Sequence, residues 1–264
     1  MADNVLIAFL ITLAAGLATV LGSALVFFQK SPSPRILAFG LAFSAGAMVF
    51  VSLTEIFSKS VESFSSGTDL GFAWAVVAFL TGLFAIVLLD RLIPNPHDTL
   101  DVHDPRFHDS NQNYLKRIGL MTAFAITAHN FPEGLATFFA TLENPTVGTP
   151  LAFAIAVHNI PEGISIAAPI YFATQNKRLT VLACFISGLA EPLGAVMGYA
   201  ILRPFLSPAI FGWVFGIIAG AMVFLAMDEL LPAAKRYSDG HETVYGLIGG
   251  MAAISISLAL FDVQ

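Results

Sequence analysis

The sequence predicts an all-α integral membrane protein with eight transmembrane helices, in which one group of three helices is repeated in inverted orientation. Three observations predict this fold class: a deficit of charge, eight apolar runs of membrane-spanning length, and three pairs of matching segments. Charged residues make up 11% of the 264 residues and hydrophobic residues 56%, whereas a soluble domain is about 25% charged. The composition therefore indicates that most of the chain is surrounded by lipid.

A helix of about 20 apolar residues crosses the hydrocarbon core of a bilayer, and eight runs reach about that length. We number them as spans 1 to 8: Val5–Phe28, Arg35–Ser58, Phe72–Leu89, Ile118–Leu142, Pro150–Thr174, Leu179–Leu202, Pro208–Met227 and Thr243–Phe261. Only Asp3 among charged residues precedes the first run, which lacks the basic start of a signal peptide, so we expect a retained helix. Segment 90–117 is polar, and we expect it to be a flexible loop.

Lysine and arginine predict the orientation, because cytoplasmic loops carry an excess of both. With eight spans the loops alternate between the two sides, and only Lys59 and Arg203 fall on one of them. The other ten share the opposite side: Lys30, Arg35, Arg91, Arg106, Lys116, Arg117, Lys177, Arg178, Lys235 and Arg236. We therefore expect a protein of the cell membrane with both termini outside and segment 90–117 in the cytoplasm.

Two stretches of the chain are repeated. The sequence AGAMVF occurs at Ala45–Phe50 and again at Ala219–Phe224, and each copy is followed five residues later by a glutamate, Glu55 or Glu229. Span 1 contains GLATVLGSA and span 6 contains GLAEPLGAV. Spans 1–3 thus resemble spans 6–8, and a shift by an odd number of spans places the second unit upside down in the membrane.

Inverted repeats around interrupted helices at the membrane midplane are typical of secondary transporters. The alternative is a Gly/Ala packing motif shared by unrelated helices. That alternative would account for AGA alone. It accounts neither for six identical residues with a matching downstream glutamate nor for the third pair, HNFPEG in span 4 and HNIPEG in span 5. The sequence therefore favours an inverted repeat around the span 4 and span 5 pair.

Each of these two motifs carries a histidine, an asparagine and a glutamate at helical spacing. Residues three or four apart share one face of a helix, so each motif directs an imidazole, an amide and a carboxylate to one neighbourhood. The six residues are His129, Asn130, Glu133, His158, Asn159 and Glu162. The prolines of both motifs remove a backbone donor, which membrane helices tolerate where the backbone is buried or lines a cavity.

Span 6 adds a third carboxylate, Glu191, at a similar depth, and no Lys or Arg lies at that level. Unpaired carboxylates inside a membrane are costly, and a divalent cation would neutralise them. The alternative is an interhelical hydrogen-bond network with protonated glutamates; the matched spacing of seven polar residues favours metal. Imidazole with carboxylate suits zinc and iron, whereas amide and carboxylate oxygens suit harder ions. Two metals bridged by Glu133 and Glu162 would use all of these groups.

The paired HN-x-PEG motifs, the eight spans and the long loop between spans 3 and 4 resemble the ZIP (Zrt/Irt-like) metal transporters, in particular their bacterial, ZupT-like zinc-uptake branch. The resemblance covers essentially the whole chain. It implies a single transport domain over residues 1–264 with a metal centre between spans 4, 5 and 6. It also implies an elevator-like movement of spans 1, 4, 5 and 6 against the other four.

The resemblance further assigns residues to two adjacent metal sites. The zinc-preferring site would consist of His129, Glu133, His158 and Glu162. The neighbouring site, associated with iron, would consist of Asn130, Glu133, Asn159, Glu162 and Glu191. Many relatives have a serine after the span 4 histidine and HEIPHE-like residues in span 5; here Asn130 and Asn159 stand in those places.

Further candidate ligands lie away from the midplane. Glu55 near the outer end of span 2, and Asp228 with Glu229 near the inner end of span 7, are interpreted as entrance and exit ligands or as ordinary helix-end carboxylates. The loop between spans 3 and 4 carries three histidines that capture zinc or belong to a solvated linker. They are His97, His103 and His108.

Three function classes compete: a metal carrier, a metal-selective channel and an intramembrane metallohydrolase. The duplicated ligands and the absence of HExxH argue against a hydrolase, so we do not expect an enzyme. The absence of a Walker A sequence argues against direct ATP coupling. We expect no prosthetic group; Zn²⁺, and also iron, manganese, cobalt or cadmium, would be the transported substrate. The expected partners are divalent metal ions and the lipid bilayer, with a homodimer as a candidate assembly and no nucleic acid.

Overall fold

The computed structural model describes residues 2–28, 33–92, 112–238 and 240–262, and within these ranges the chain is built of helices without strands. The α-helices are α1 (Ala2–Val26), α2 (Pro34–Val51), α3 (Phe57–Ser65), α4 (Gly71–Leu92), α5 (Gln112–Glu143), α6 (Pro145–Thr174), α7 (Lys177–Gly188), α8 (Ala190–Leu202), α9 (Pro208–Leu225), α10 (Leu231–Arg236) and α11 (Glu242–Asp262). Two π-helical turns, Ser52–Ile56 and Ala226–Leu230, join α2 to α3 and α9 to α10. A short 3₁₀ turn, Arg203–Phe205, follows α8.

Seven helical stretches of the described chain are long and apolar enough to cross a membrane, and they correspond to all predicted spans except span 4. Span 4 lies within α5, which has 32 residues. This helix is less apolar on average than α6, although each of the two has an HN-x-PEG motif in its middle. The predicted class, an all-α membrane protein, is confirmed.

Helices enter the predicted loop 90–117 from both ends, because α4 continues to Leu92 and α5 already begins at Gln112. Hydropathy alone does not detect these polar helix ends. Residues 93–111 lie outside the described chain, and so do the three candidate histidines His97, His103 and His108.

The packing of the helices follows the repeat. α1 packs against α6 in the way that α8 packs against α5, and α2 packs against α11 in the way that α9 packs against α4. The helices compared are counterparts in the repeat: α1 corresponds to α8, α6 to α5, α2 to α9 and α11 to α4. This correspondence is what an inverted repeat with a pseudo-two-fold axis requires.

Glycine contacts confirm the symmetry residue by residue. A Cβ added to Gly46 would collide with the carbonyl oxygen of Leu247, and a Cβ added to Gly220 would collide with that of Phe79. Gly46 and Gly220 hold the same place in the two AGAMVF copies. The repeated glycines therefore allow equivalent pairs of helices, α2 with α11 and α9 with α4, to approach to backbone contact.

The pseudo-two-fold axis passes between α1 and the end of α7. A Cβ on Gly16 would meet the carbonyl oxygen of Gly188, and a Cβ on Gly188 would meet that of Gly16. These two glycines begin the matched sequences GLAT and GLAE. Because each touches the other in the same way, they lie at the centre of the symmetric arrangement.

In each repeat unit a π-helical turn begins two residues after the end of AGAMVF, at Ser52 and at Ala226. The first contains Glu55 and the second contains Asp228 and Glu229. The two glutamates that the repeat predicted as symmetry mates therefore have the same unusual backbone. Single π-helical turns inside α-helices occur frequently at functional sites.

Candidate metal centre

All seven predicted midplane ligands are buried, with at most 1% of any of them exposed. They come from the middle of α5, the middle of α6 and the first turn of α8. The set consists of His129, Asn130, Glu133, His158, Asn159, Glu162 and Glu191. The three helices therefore bring the polar groups of the sequence into the interior, as the helical spacing predicted.

Two features of the motifs let these helices meet. Pro132 and Pro161 lie inside continuous helices. The glycines two residues further on, Gly134 and Gly163, face a neighbouring backbone so closely that a Cβ would collide with it. Gly134 touches the carbonyl of Glu191, so α8 is drawn against α5 at the depth of the carboxylates.

The geometric centre of the site is formed by Glu133, His158 and Glu162, each of which offers a ligand atom within 4.8 Å of the other two. His158 Nε2 lies 3.3 Å from Glu133 Oε1. His158 Nδ1 lies 3.1 Å from the carbonyl oxygen of Ala154. A carbonyl can only accept, so Nδ1 carries a hydrogen, and in the neutral imidazole Nε2 presents a lone pair to the carboxylate. A cation bound between the two atoms would make this approach favourable.

The carboxylate oxygens of the centre lack hydrogen-bond donors. Within the described residues both oxygens of Glu133, both oxygens of Glu162 and Oε2 of Glu191 accept no hydrogen bond. Buried polar groups in proteins are nearly always hydrogen-bonded. Five unpartnered oxygens in one place indicate that a ligand absent from the protein chain satisfies them.

The two asparagines direct their amide groups to neighbouring helices. Asn159 Nδ2 donates to the carbonyl of Ala15 at 2.9 Å and to Glu191 Oε1 at 2.5 Å. Asn130 Nδ2 donates to the carbonyl of Ser187 at 3.0 Å. The oxygens Oδ1 of both asparagines are unpartnered among the described residues. With their nitrogens engaged elsewhere, the asparagines present oxygen to the interior, as harder cations prefer.

Ala15 and Ser187, which hold the asparagines, were not predicted from the sequence. Each supplies a backbone carbonyl, and backbone groups leave no trace in residue type. The repeat did contain a signal, because the two residues directly precede the matched glycines Gly16 and Gly188.

The remaining predicted ligands are not members of the central trio. His129 is buried but is not a member of the group within 4.8 Å. Glu191 is joined to that group through Asn159. Glu55 and Glu229 are only half-buried and lie in the two π-helical turns, as does the exposed Asp228.

The centre contains three fully buried carboxyl groups. Glu133 and Glu191 are the acidic neighbours of Glu162. The basic side chain nearest to Glu133 in the central trio is His158, whose neutral form adds no positive charge. A dication bound between these groups would supply the positive charge that keeps buried carboxylates ionised.

Comparison with known proteins agrees with this description. The family model "ZIP Zinc transporter" matches residues 94–258. A protein of Neisseria meningitidis serogroup B named "Zinc transporter ZupT" is 70% identical over 261 residues, which cover 98% of this chain and 97% of the relative. Proteins with the same name from Stenotrophomonas maltophilia K279a and Chlorobium chlorochromatii CaD3 are 64% and 48% identical, and the aligned regions cover 98% and 99% of this chain and 97% and 100% of the relatives.

Proposed function

Because the chain belongs to the ZIP zinc transporter family, we propose that it carries zinc across the membrane into the cytoplasm through the centre between α5, α6 and α8. It is a multi-pass membrane protein and a transporter, not an enzyme. The observation that carries the proposal is the central trio: an imidazole nitrogen and two carboxylates, fully buried, with their ligand atoms directed at one another.

Zinc binds imidazole nitrogen and carboxylate oxygen, and His158, Glu133 and Glu162 offer both. In our proposal His129 completes this subsite. Asn130, Asn159 and Glu191 form a second, oxygen-only subsite with the same two glutamates, which act as bridges between two ions. That subsite suits iron(II) or manganese better than zinc, and cobalt and cadmium are further candidate substrates.

We propose a carrier mechanism in preference to a channel, because the inverted repeat and the midplane ligands are the arrangement that alternating access uses. Purified protein in liposomes provides the test. A carrier gives zinc uptake that saturates with concentration and a low turnover. Flux that rises in proportion to zinc concentration over the whole accessible range would favour the channel, and absence of flux would contradict transport.

The charge distribution supports an orientation with both termini outside and segment 90–117 in the cytoplasm. Single cysteines test it, with Cys184 replaced by serine. Ser66→Cys and His241→Cys lie on exposed residues of loops on opposite sides. In intact cells an impermeant thiol reagent should label position 66 alone, and labelling of position 241 alone would reverse the topology.

We further propose that residues 1–264 form one transport domain and that segment 90–117 links spans 3 and 4. Its histidines, His97, His103 and His108, are candidates for capturing zinc on the cytoplasmic side. Replacing all three by glutamine should leave the zinc affinity of the midplane centre unchanged. Any effect should appear as a lower rate of zinc release.

A further inference from the structure

The pseudo-symmetry gives Glu191 a counterpart in α1. Gly134 and Gly163 hold the same place in the two HN-x-PEG motifs. Gly134 approaches the carbonyl of Glu191, and Gly163 approaches the carbonyl of Thr19. In the matched sequences GLAE and GLAT these residues are also the fourth. Thr19 therefore occupies in α1 the position that the carboxylate ligand Glu191 occupies in α8.

The hydrogen bonds of the two asparagines show the same correspondence. Asn130 donates to the carbonyl of Ser187 and Asn159 to that of Ala15. Glu191 follows the first carbonyl by one helical turn, and Thr19 follows the second. Glu191 reaches the amide of Asn159. On the Asn130 side the symmetric position holds the shorter Thr19, and no described hydrogen bond joins the two.

The hydroxyl of Thr19 differs from those of most helical threonines in the described chain; Thr137 of α5 is the other fully buried threonine whose Oγ1 has no hydrogen-bond partner there. Thr12 and Thr127, for example, donate to the carbonyl one turn earlier, at 2.8 and 2.6 Å. For Thr19 that carbonyl belongs to Ala15 and accepts from Asn159 instead. Thr19 is fully buried, and its Oγ1 has no hydrogen-bond partner within the described residues. A buried hydroxyl in this state is available to a ligand.

We propose that Thr19 is a further oxygen ligand of the metal centre, on the side of Asn130, in the place where symmetry puts the counterpart of Glu191. The inference rests on the proposed transport function, since the cation is the transported one. The two sides of the centre then differ in charge, because a carboxylate lies beside Asn159 and a neutral hydroxyl beside Asn130. A cation on the Asn130 side is then held by oxygen without an additional negative charge.

The first test removes the hydroxyl at nearly constant volume. Thr19→Val should weaken zinc or manganese binding about tenfold, the scale observed when groups around a metal are removed, as measured by calorimetry on purified protein. Thr19→Ser should bind like the unchanged protein. Thr12→Val is the matched control, because Thr12 is also buried in α1 but donates to Ala8. Equal affinities for Thr19→Val and Thr12→Val would overturn the proposal.

The second test introduces a new ligand atom at position 19, and it tests the proposal independently if Thr19→Val fails to fold. Thr19→Cys places a thiol at the proposed position, and thiolates select soft cations. Addition of cadmium should produce a thiolate-to-cadmium charge-transfer absorption and raise cadmium affinity relative to zinc, whereas Thr12→Cys should show neither change. Cys184 is present in both variants, so any cadmium signal from its thiol is common to both. No absorption from Thr19→Cys would overturn the proposal.

Zinc uptake by the unchanged protein in liposomes distinguishes a failure of the proposed transport function from a failure of the proposed role of Thr19. Its absence would contradict the proposed function itself. Normal uptake by the unchanged protein, together with unchanged binding in Thr19→Val and no cadmium band in Thr19→Cys, would contradict only the role of Thr19.

Discussion

At the scale of single residues, the proposed function rests on carboxylate oxygens that accept no hydrogen bond from the described residues. Glu133 and Glu162 each present two such oxygens beside the lone pair of His158. The spacing of the motifs was sufficient to predict that these side chains meet in the interior, because residues four apart on a helix share a face. The partners of the two asparagines were not predictable, because Ala15 and Ser187 accept from Asn159 and Asn130 through backbone carbonyls.

Replacing a bridging glutamate tests the centre directly. Glu133→Gln should lower zinc uptake at least about a hundredfold, because a neutral amide replaces a charge shared by two ions, and the loss of a buried charged interaction is on the order of 3 kcal/mol. Glu62→Gln is the control, since Glu62 is an exposed carboxylate of α3. Liposome uptake is the measurement. Near-normal uptake by Glu133→Gln, with normal membrane insertion, would contradict the midplane site.

Glu191 distinguishes the two proposed subsites. Its Oε1 is held by Asn159 and its Oε2 is unpartnered among the described residues, so it offers one oxygen to the harder subsite. Glu191→Gln should therefore reduce iron(II) or manganese uptake about tenfold more than zinc uptake. Competition between the metals in one liposome preparation gives the ratio. An equal loss for all metals would remove the division into two subsites.

At the scale of helices, glycine positions decide which pairs come into backbone contact. The eight spans were predictable because bilayer thickness fixes the length of apolar helix required. The π-helical turns were not, because an inserted residue changes neither composition nor hydropathy. The repeated AGAMVF indicated that two helices were alike, but only the structure shows that both copies lead into the same π-helical turn.

Two adjacent glycines of α11 provide a matched pair for testing these contacts. A Cβ on Gly250 would collide with the carbonyl oxygen of Phe43, whereas a Cβ on Gly249 would have its nearest neighbour, a ring carbon of Phe39, at 3.6 Å. Alanine raises helix propensity equally at both positions. Gly250→Ala should therefore be less stable than Gly249→Ala by about 1–3 kcal/mol, the usual cost of overpacking.

Thermal unfolding in detergent measures this difference. The symmetric substitution is Gly82→Ala in α4, whose Cβ would collide with the carbonyl oxygen of Ile217, and it should be destabilising to a similar degree. Equal melting temperatures for Gly249→Ala and Gly250→Ala would show that α2 and α11 can move apart without loss of stability.

At the scale of the whole molecule, the helices fall into two groups around the centre. One contains α1, α5, α6, α7 and α8, which carry the ligands or pack on the helices that do; the other pairs α2 with α11 and α4 with α9. The groups meet near the site, where the Ser44 hydroxyl of α2 donates to the carbonyl of His158 at 3.0 Å. The elevator-like movement expected from the family would displace the first group along the second, and it stays a prediction.

The inverted repeat also relates the two ends of the transport path, and this leads to a prediction about rates. Glu55 and Glu229 lie in equivalent π-helical turns, and the inverted orientation puts them on opposite faces of the membrane. If Glu55 receives the ion and Glu229 passes it on, Glu55→Gln should raise the KM for external zinc severalfold with little change in the maximal rate. Glu229→Gln should lower the maximal rate severalfold and leave KM nearly unchanged, because a removed exit ligand slows release rather than capture.

This difference between the two variants in KM and maximal rate is measurable in liposomes of uniform orientation. It should reverse when zinc is supplied from the other side. Unchanged kinetics in both variants would identify the two glutamates as ordinary helix-end carboxylates, whose charge costs little at the membrane surface.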